Sequence, residues 1–151
     1  PTQSCVVLET VQDSGNLGTI LRTAAAAGIQ HILLSDGCAQ AWSPRVLRAA
    51  MGAHFSLNIY EKIDLLSVLP AYQGQLLATG LTQAKSLYSL NLNQSTAWLF
   101  GSEGQGLSEQ VMRLAKQQVI IPMATGVESL NVAAAVAVCL FEQRRQQMRN
   151  A

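Results

Sequence analysis

Residues 119–141, VIIPMATGVESLNVAAAVAVCLF, constrain this chain more than any other stretch. The run Val119, Ile120, Ile121 predicts a strand, because branched side chains are stiff at χ1 and suit a pleated surface. Pro122 and Gly126 end it. Residues 132–141 are unbroken apolar and too long for a strand, so they predict a buried helix that continues through Glu142 to Arg149. A polar loop is thereby held between two buried elements. Open α/β sheets bind ligands in loops beyond the carboxyl ends of their strands, which makes residues 123–131 the expected site.

That last helix is apolar on every side at its start and should be buried all round, by a sheet on one side and a second subunit on the other. The composition agrees. With 49% hydrophobic and 13% charged residues, some apolar surface is expected to meet a partner.

Upstream, residues 4–9 predict a first strand and Asp13 to Asn16 a turn. An alanine-rich helix over 17–27 is then closed by Gly28. A second strand follows at His31–Ser35. Ser43 and Pro44 supply an N-cap and a first-turn proline for a short helix reaching Met51. Strands are expected at 55–60, Gln75–Thr79 and Thr96–Phe100, with a helical segment at 63–69. Residues 82–92 show no clean period, and a helix opens at Ser108 and Glu109. Strands alternating with helices imply an α/β fold: a parallel sheet with helices on both faces.

The chain of 151 residues fits one domain over residues 1–151, and its start at Pro1 suggests an excised domain whose N-terminal neighbour is missing. A formal charge of +1 is far from that of a dedicated polyanion binder, so any RNA site must be local. Cys5, Cys38 and Cys139 form no metal or redox pair, which suits a reducing cytoplasm and no zinc. His31 and His54 lack a second ligand at metal spacing and read as structural. The longest apolar run is about half the ~20 residues of a membrane span.

Three segments carry candidate chemistry. In Asn16-Leu17-Gly18-Thr19-Ile20-Leu21-Arg22, Asn16 could cap the helix and Gly18 could serve close packing, but Arg22 is out of place among Ala, Leu and Thr. Asn16 and Arg22 can flank one mouth if Asn16 sits in the loop. In Gly101-Ser102-Glu103-Gly104-Gln105-Gly106, between a strand and a helix, glycines would let main-chain N–H groups approach a nucleotide-like ligand. The spacing fits neither the dinucleotide fingerprint nor the P-loop, which argues against NAD- and ATP-dependent enzymes. In the third loop Ser129 could be the helix N-cap, and Asn131 is the polar residue hardest to explain by packing. Arg45 and Arg48, three apart on the Pro44 helix, could touch phosphate or form a solvated pair.

NLGTILRTAAAAG, LFGSEGQGLS and IPMATGVESLNVAAAVAV together resemble the three ordered motifs of the SpoU/TrmH family of RNA ribose 2′-O-methyltransferases. The resemblance spans nearly the whole chain. It implies a C-terminal deep trefoil knot, S-adenosylmethionine as cofactor, a homodimer formed through the C-terminal helix, and ribosomal or transfer RNA as substrate, with no metal and no membrane. It implies catalytic roles for Asn16, Arg22, Glu103, Ser129 and Asn131. Cofactor contacts are implied at Thr79, Gly80, Gly101, Gly104, Ile121, Pro122, Met123 and Leu130. Glu103 is expected to hold Asn131 or Arg22. The family pattern is departed from at Ala124 and Thr125, which precede Gly126, and at Ala50, where Ser is common. A nicotinamide- or nucleotide-dependent enzyme and a catalytically silent RNA-binding module are the rival classes, and the missing N-terminal neighbour is expected to be an RNA-binding domain.

Overall fold

The computed structural model describes residues 3–80 and 83–149. Seven parallel strands form one sheet: β1 (Cys5–Leu8), β2 (His31–Ser35), β3 (Asn58–Ile63), β4 (Gln75–Thr79), β5 (Lys85–Ser86), β6 (Thr96–Phe100) and β7 (Gln117–Ile120), in the order β3-β2-β1-β6-β4-β7-β5. Side chains alternate across the sheet, as the pleat requires. Val6 and Leu8 of β1, with Trp98 and Phe100 of β6, join the core beneath α1 (Ser14–Ala26), α2 (Pro44–Ala50) and α5 (Val132–Arg149). Cys5, Val7, Ala97 and Leu99 point the other way, to Leu65 of α3 (Leu65–Val68) and Val111 of α4 (Glu109–Leu114). Helices on both faces are what the strand–helix alternation predicts.

From β1 the chain winds outward to β2 and β3, whereas β6, β4, β7 and β5 lie on the other side. The winding reverses between β1 and β6, and ligands of open α/β sheets bind beyond the carboxyl ends at such a point. There the backbone N–H of Glu9 donates to Phe100 O at 2.9 Å, binding the two exits together.

Several boundaries differ from the sequence expectation. Asp13, not Asn16, caps α1, accepting from the Asn16 N–H at 2.8 Å, so Asn16 lies inside the first turn. Residues 55 and 56 belong to a 3-10 turn (Ala53–Ser56), and β3 starts at Asn58 because Asn58 N bonds to Gln30 O. β7 begins two residues before the branched run, since Gln117 pairs with Leu77. Lys85 and Ser86 form an edge strand too short to show a period. The start of the aperiodic segment, at Thr82, lies outside the described residues.

The helix α5 runs as expected but is not buried all round in a single chain. Val136, Cys139 and Leu140 are in the core, while Ala134, Phe141 and Met148, each two turns apart, are exposed, Phe141 to 45%. It is moored by Gln143, whose Oε1 accepts from Trp98 Nε1 at 2.9 Å and whose Nε2 donates to Ser4 Oγ at 3.2 Å. Burial pushes the Cys5 and Cys139 thiols up to about 12, so both behave as small apolar side chains. His54 is buried with Nε2 on Ala41 O at 2.6 Å, and His31 meets Gln3, both local roles. No helix of the described residues is long and apolar enough to cross a membrane.

Candidate active site

The loops after β1, β6 and β7 meet at the carboxyl edge of the sheet through one side chain. Asn16, in the first turn of α1, donates from Nδ2 to Glu103 Oε1 and accepts at Oδ1 from Asn131 Nδ2 at 3.1 Å. Each of the three motifs contributes one member. An amide suits the junction because it both donates to a carboxylate and accepts from a second amide. The sequence expectation is that Glu103 holds Asn131 or Arg22; in the structure it holds Asn16, which α1 presents from its first turn.

Asn131 has a second task. Its Oδ1 accepts from Ala133 N at 2.9 Å and Ala134 N at 3.2 Å, so Asn131 is the N-cap of α5. The capping role considered for Ser129 is thereby excluded. Using its oxygen for the cap and its nitrogen for Asn16, Asn131 fixes the start of the last helix against the start of the first. Ser129 stays exposed in the loop, and Arg22 is exposed one and a half turns along α1 from Asn16. Neither makes a hydrogen bond or ion pair among the described residues. The structure thus unites Asn16, Glu103 and Asn131 and leaves Arg22 and Ser129 free beside them.

The glycine loop closes on itself. Gly106 N donates to Ser102 O at 2.8 Å, and a Cβ on Gly101 would stand 2.1 Å from the Gly106 carbonyl carbon. Gly101 is needed for that closure, whereas Gly104 faces open space. Gly18 has the packing role, since its Cβ would stand 2.4 Å from the Ala49 Cβ of α2.

One positioning residue went unread in the sequence. Glu9, the last residue of the expected first strand, turns its carboxylate across the sheet end, accepting from Ser108 N at 2.6 Å and Ser108 Oγ at 2.8 Å. Ser108 in turn caps α4. The clasp holds the far end of the glycine loop. A carboxylate directly after a fully apolar strand was its signal.

The residues expected to contact a cofactor follow three neighbouring strands. Thr79 and Gly80 end β4, Gly101 to Gly104 follow β6, and Ile121 to Met123 follow β7, with β4 between the other two. Thr79 Oγ1 donates to Leu99 O at 3.3 Å and Gly80 N to Val119 O at 3.1 Å, which ties the exits together. A Cβ on Gly80 would meet Gln118 Oε1 at 2.5 Å. Ile121 is buried, so only its backbone can face a ligand, while Pro122 and Leu130 are exposed and Met123 is half-buried.

Comparison with known proteins gives this site its context. The model of the SpoU rRNA Methylase family matches residues 3–141. A protein of Synechocystis sp. described as an uncharacterized tRNA/rRNA methyltransferase is 48% identical over 145 residues, covering 94% of this chain and 53% of its own length. The 23S rRNA (guanosine(2553)-2′-O)-methyltransferase of Bacillus subtilis is 33% identical over 146 residues, covering 92% of this chain and 57% of its own. The crystal structure of an AdoMet-bound rRNA methyltransferase from Sinorhizobium meliloti superposes with a TM-score of 0.88 at 35% identity, over 95% of this chain and 56% of that one. The chain spans about half the length of the curated relatives it matches.

Proposed function

Because the chain belongs to the SpoU rRNA methylase family, we propose that it transfers a methyl group from S-adenosylmethionine to a ribose 2′-hydroxyl of RNA, ribosomal RNA first. The observation that carries this reading is the Asn16 junction, which draws one residue from each of three motifs to the switch point of the sheet. The names of the relatives support the chemistry and the ribosomal substrate. Transfer RNA remains the second substrate class, on the wording of the Synechocystis name.

The exits of β4, β6 and β7 fit the cofactor. At Gly101 the Gly106–Leu107 backbone leaves no room for a Cβ, so the loop keeps its closed shape, and at Gly80 a Cβ would displace the end of the Gln118 side chain. Exposed Leu130 and half-buried Met123 offer apolar contact to an adenine ring. Thr79, Gly80, Gly101, Gly104, Ile121, Pro122, Met123 and Leu130 would hold it. When bound, S-adenosylmethionine supplies a methyl group already activated by its sulfonium.

The protein's share is then alignment and one proton. Arg22, free and exposed, fixes an RNA phosphate and stabilises the oxygen that becomes negative as the 2′-hydroxyl attacks. A guanidinium is almost never neutral in a protein, so the proton passes to water or a neighbouring acceptor and not to Arg22. Ser129 orients the ribose. Asn16, Glu103 and Asn131 keep the glycine loop, α1 and α5 in register around it.

The open strip of Ala134, Phe141 and Met148 supports a homodimer through α5, and β7 lying between the earlier strands β4 and β5 supports a knotted C-terminal segment. Three free cysteines support the cytoplasm. The test is a map of RNA 2′-O-methylation in cells with and without the intact gene. One ribosomal site lost is expected, and no lost site in any RNA overturns the reading.

A further inference from the structure

A second surface lies beside the site on α2 and the 3-10 turn that follows it. Phe55 is 96% exposed, Met51 68% and Trp42 56%, large apolar side chains gathered within 14 residues of chain. They are held, not loose. Ala41, immediately before Trp42, is buried, with its N–H on Glu61 Oε2 at 3.1 Å and its carbonyl on His54 Nε2 at 2.6 Å. The Trp42 ring packs on the His54 ring at 4.7 Å between centroids, and His54 is the chain neighbour of Phe55. The inward histidine thus fixes the Trp42 ring and anchors the backbone from which Phe55 projects into solvent.

The exposed charge on α2 beside them is positive. Arg45 and Arg48 on α2 are exposed and make no ion pair among the described residues. From Ser14 to Glu61 the chain carries Arg22, Arg45 and Arg48 against two carboxylates, Asp36 and Glu61, and Glu61 is turned to the Ala41 N–H. The surface is continuous with the site: Gly18 of α1 sits directly against Ala49 of α2, and α1 also touches the 3-10 turn.

We propose that Trp42 and Phe55 stack on unpaired bases of the RNA flanking the methylated nucleotide while Arg45 and Arg48 hold its phosphates, so that this face binds a single-stranded stretch. The proposal rests on the RNA reading above. Aromatic rings spaced among arginines suit unpaired nucleic acid, because every base has a face to stack and every nucleotide a phosphate. A second copy of the chain suits the face less well. A two-fold contact would crowd the arginines of both copies together, and the Glu61 carboxylate on this face is already engaged with the Ala41 N–H.

The chain reports on itself. Of its two tryptophans, Trp98 is fully buried, so quenching by an added polymer reads Trp42. The chain is titrated at fixed ionic strength with a 12-nucleotide oligoadenylate and, separately, with heparin, a polyanion without bases. Oligoadenylate is expected to quench the tryptophan emission and heparin to leave it. Phe55→Ala should weaken oligoadenylate binding about 10-fold, and Arg45→Gln with Arg48→Gln should flatten its salt dependence. Equal quenching by heparin, an unchanged affinity in Phe55→Ala, or a changed sedimentation coefficient in that variant would each overturn the proposal, the last by showing an interface between copies. Calorimetry of the wild-type chain with S-adenosylmethionine reports separately on the methyltransferase reading, so one can fail without the other.

Discussion

Asn131 donates its amide N–H to Oδ1 of Asn16 at 3.1 Å, across 115 residues of chain, and the same Asn16 amide donates to Glu103. Asn16→Ala removes both bonds at a half-buried position. Stability should fall by no more than about 1 kcal/mol, while single-turnover methylation should fall on the order of 100-fold, because the aligned groups lose their common support. Asn16→Asp should be worse, since it sets a second carboxylate against Glu103. A wild-type rate for Asn16→Ala, with an intact thermal transition, would show that the junction positions nothing.

Two of the three glycines of the second motif, Gly101 and Gly104, should part company on substitution. In Gly101→Ala the added carbon meets the Gly106 and Leu107 backbone at 2.1 and 2.3 Å, so the loop must open, at a cost of about 1–3 kcal/mol. Gly104→Ala meets nothing and should stay within about 0.5 kcal/mol of wild type. Thermal unfolding of both variants distinguishes a loop shaped by its own closure from one left open solely for a ligand.

Arg22→Lys keeps the charge and discards the planar fork that grips phosphate through two bonds. With no side-chain partner among the described residues, Arg22 contributes little to folding, so unchanged stability is expected alongside a loss of about 10- to 100-fold in single-turnover rate. The measurement is a pH–rate profile of both proteins. Near-wild-type rates in the lysine variant would remove any special role for the guanidinium.

Glu142 gives the acid limb of stability. Its carboxylate accepts from Arg145 Nε at 2.8 Å and Nη2 at 2.9 Å and from Gln146 at 3.0 Å, and these bonds hold its pKa below the ordinary value of 4.5. A depressed folded-state pKa adds stability that is present above the unfolded value and disappears as pH falls through the folded one. Wild type should therefore lose more stability than Glu142→Gln between about pH 5 and pH 3. Parallel denaturant curves across that window would refute this.

The apolar strip of α5 is expected to be a subunit contact. Phe141→Glu places a charge in its centre and should convert a dimer to a folded monomer, read by sedimentation, with methylation falling in step. A wild-type protein that sediments as a monomer at micromolar concentration would remove the homodimer from the proposal.

Periodicity and punctuation made much of this molecule legible. The strands His31–Ser35, Gln75–Thr79 and Thr96–Phe100 stand where the branched and apolar runs place them, and Ser43-Pro44 opens α2 as an N-cap and first-turn proline should. These are local preferences, written in adjacent residues. Lys85 and Ser86 carry no such pattern, because a two-residue edge strand is specified by its pairing with Val119 and Ile120. The start of α1 was misplaced because Asp13 and Asn16 are both good capping residues, and only the fold selects between them.

The sequence by itself determined the α/β class, the three motifs and the candidates within them, since composition, period and spacing are properties of the chain. Tertiary structure decided that Asn16 joins Glu103 to Asn131, that Asn131 and not Ser129 caps the last helix, and that Glu9 clasps Ser108. The cap is local, but the bonds from Asn16 to Glu103 and Asn131 and from Ser108 to Glu9 link residues brought together only when β1, β6 and β7 take their places in the sheet. Hydrogen bonds need atoms within about 3 Å in fixed directions, and no local preference along the chain encodes which distant donor will arrive.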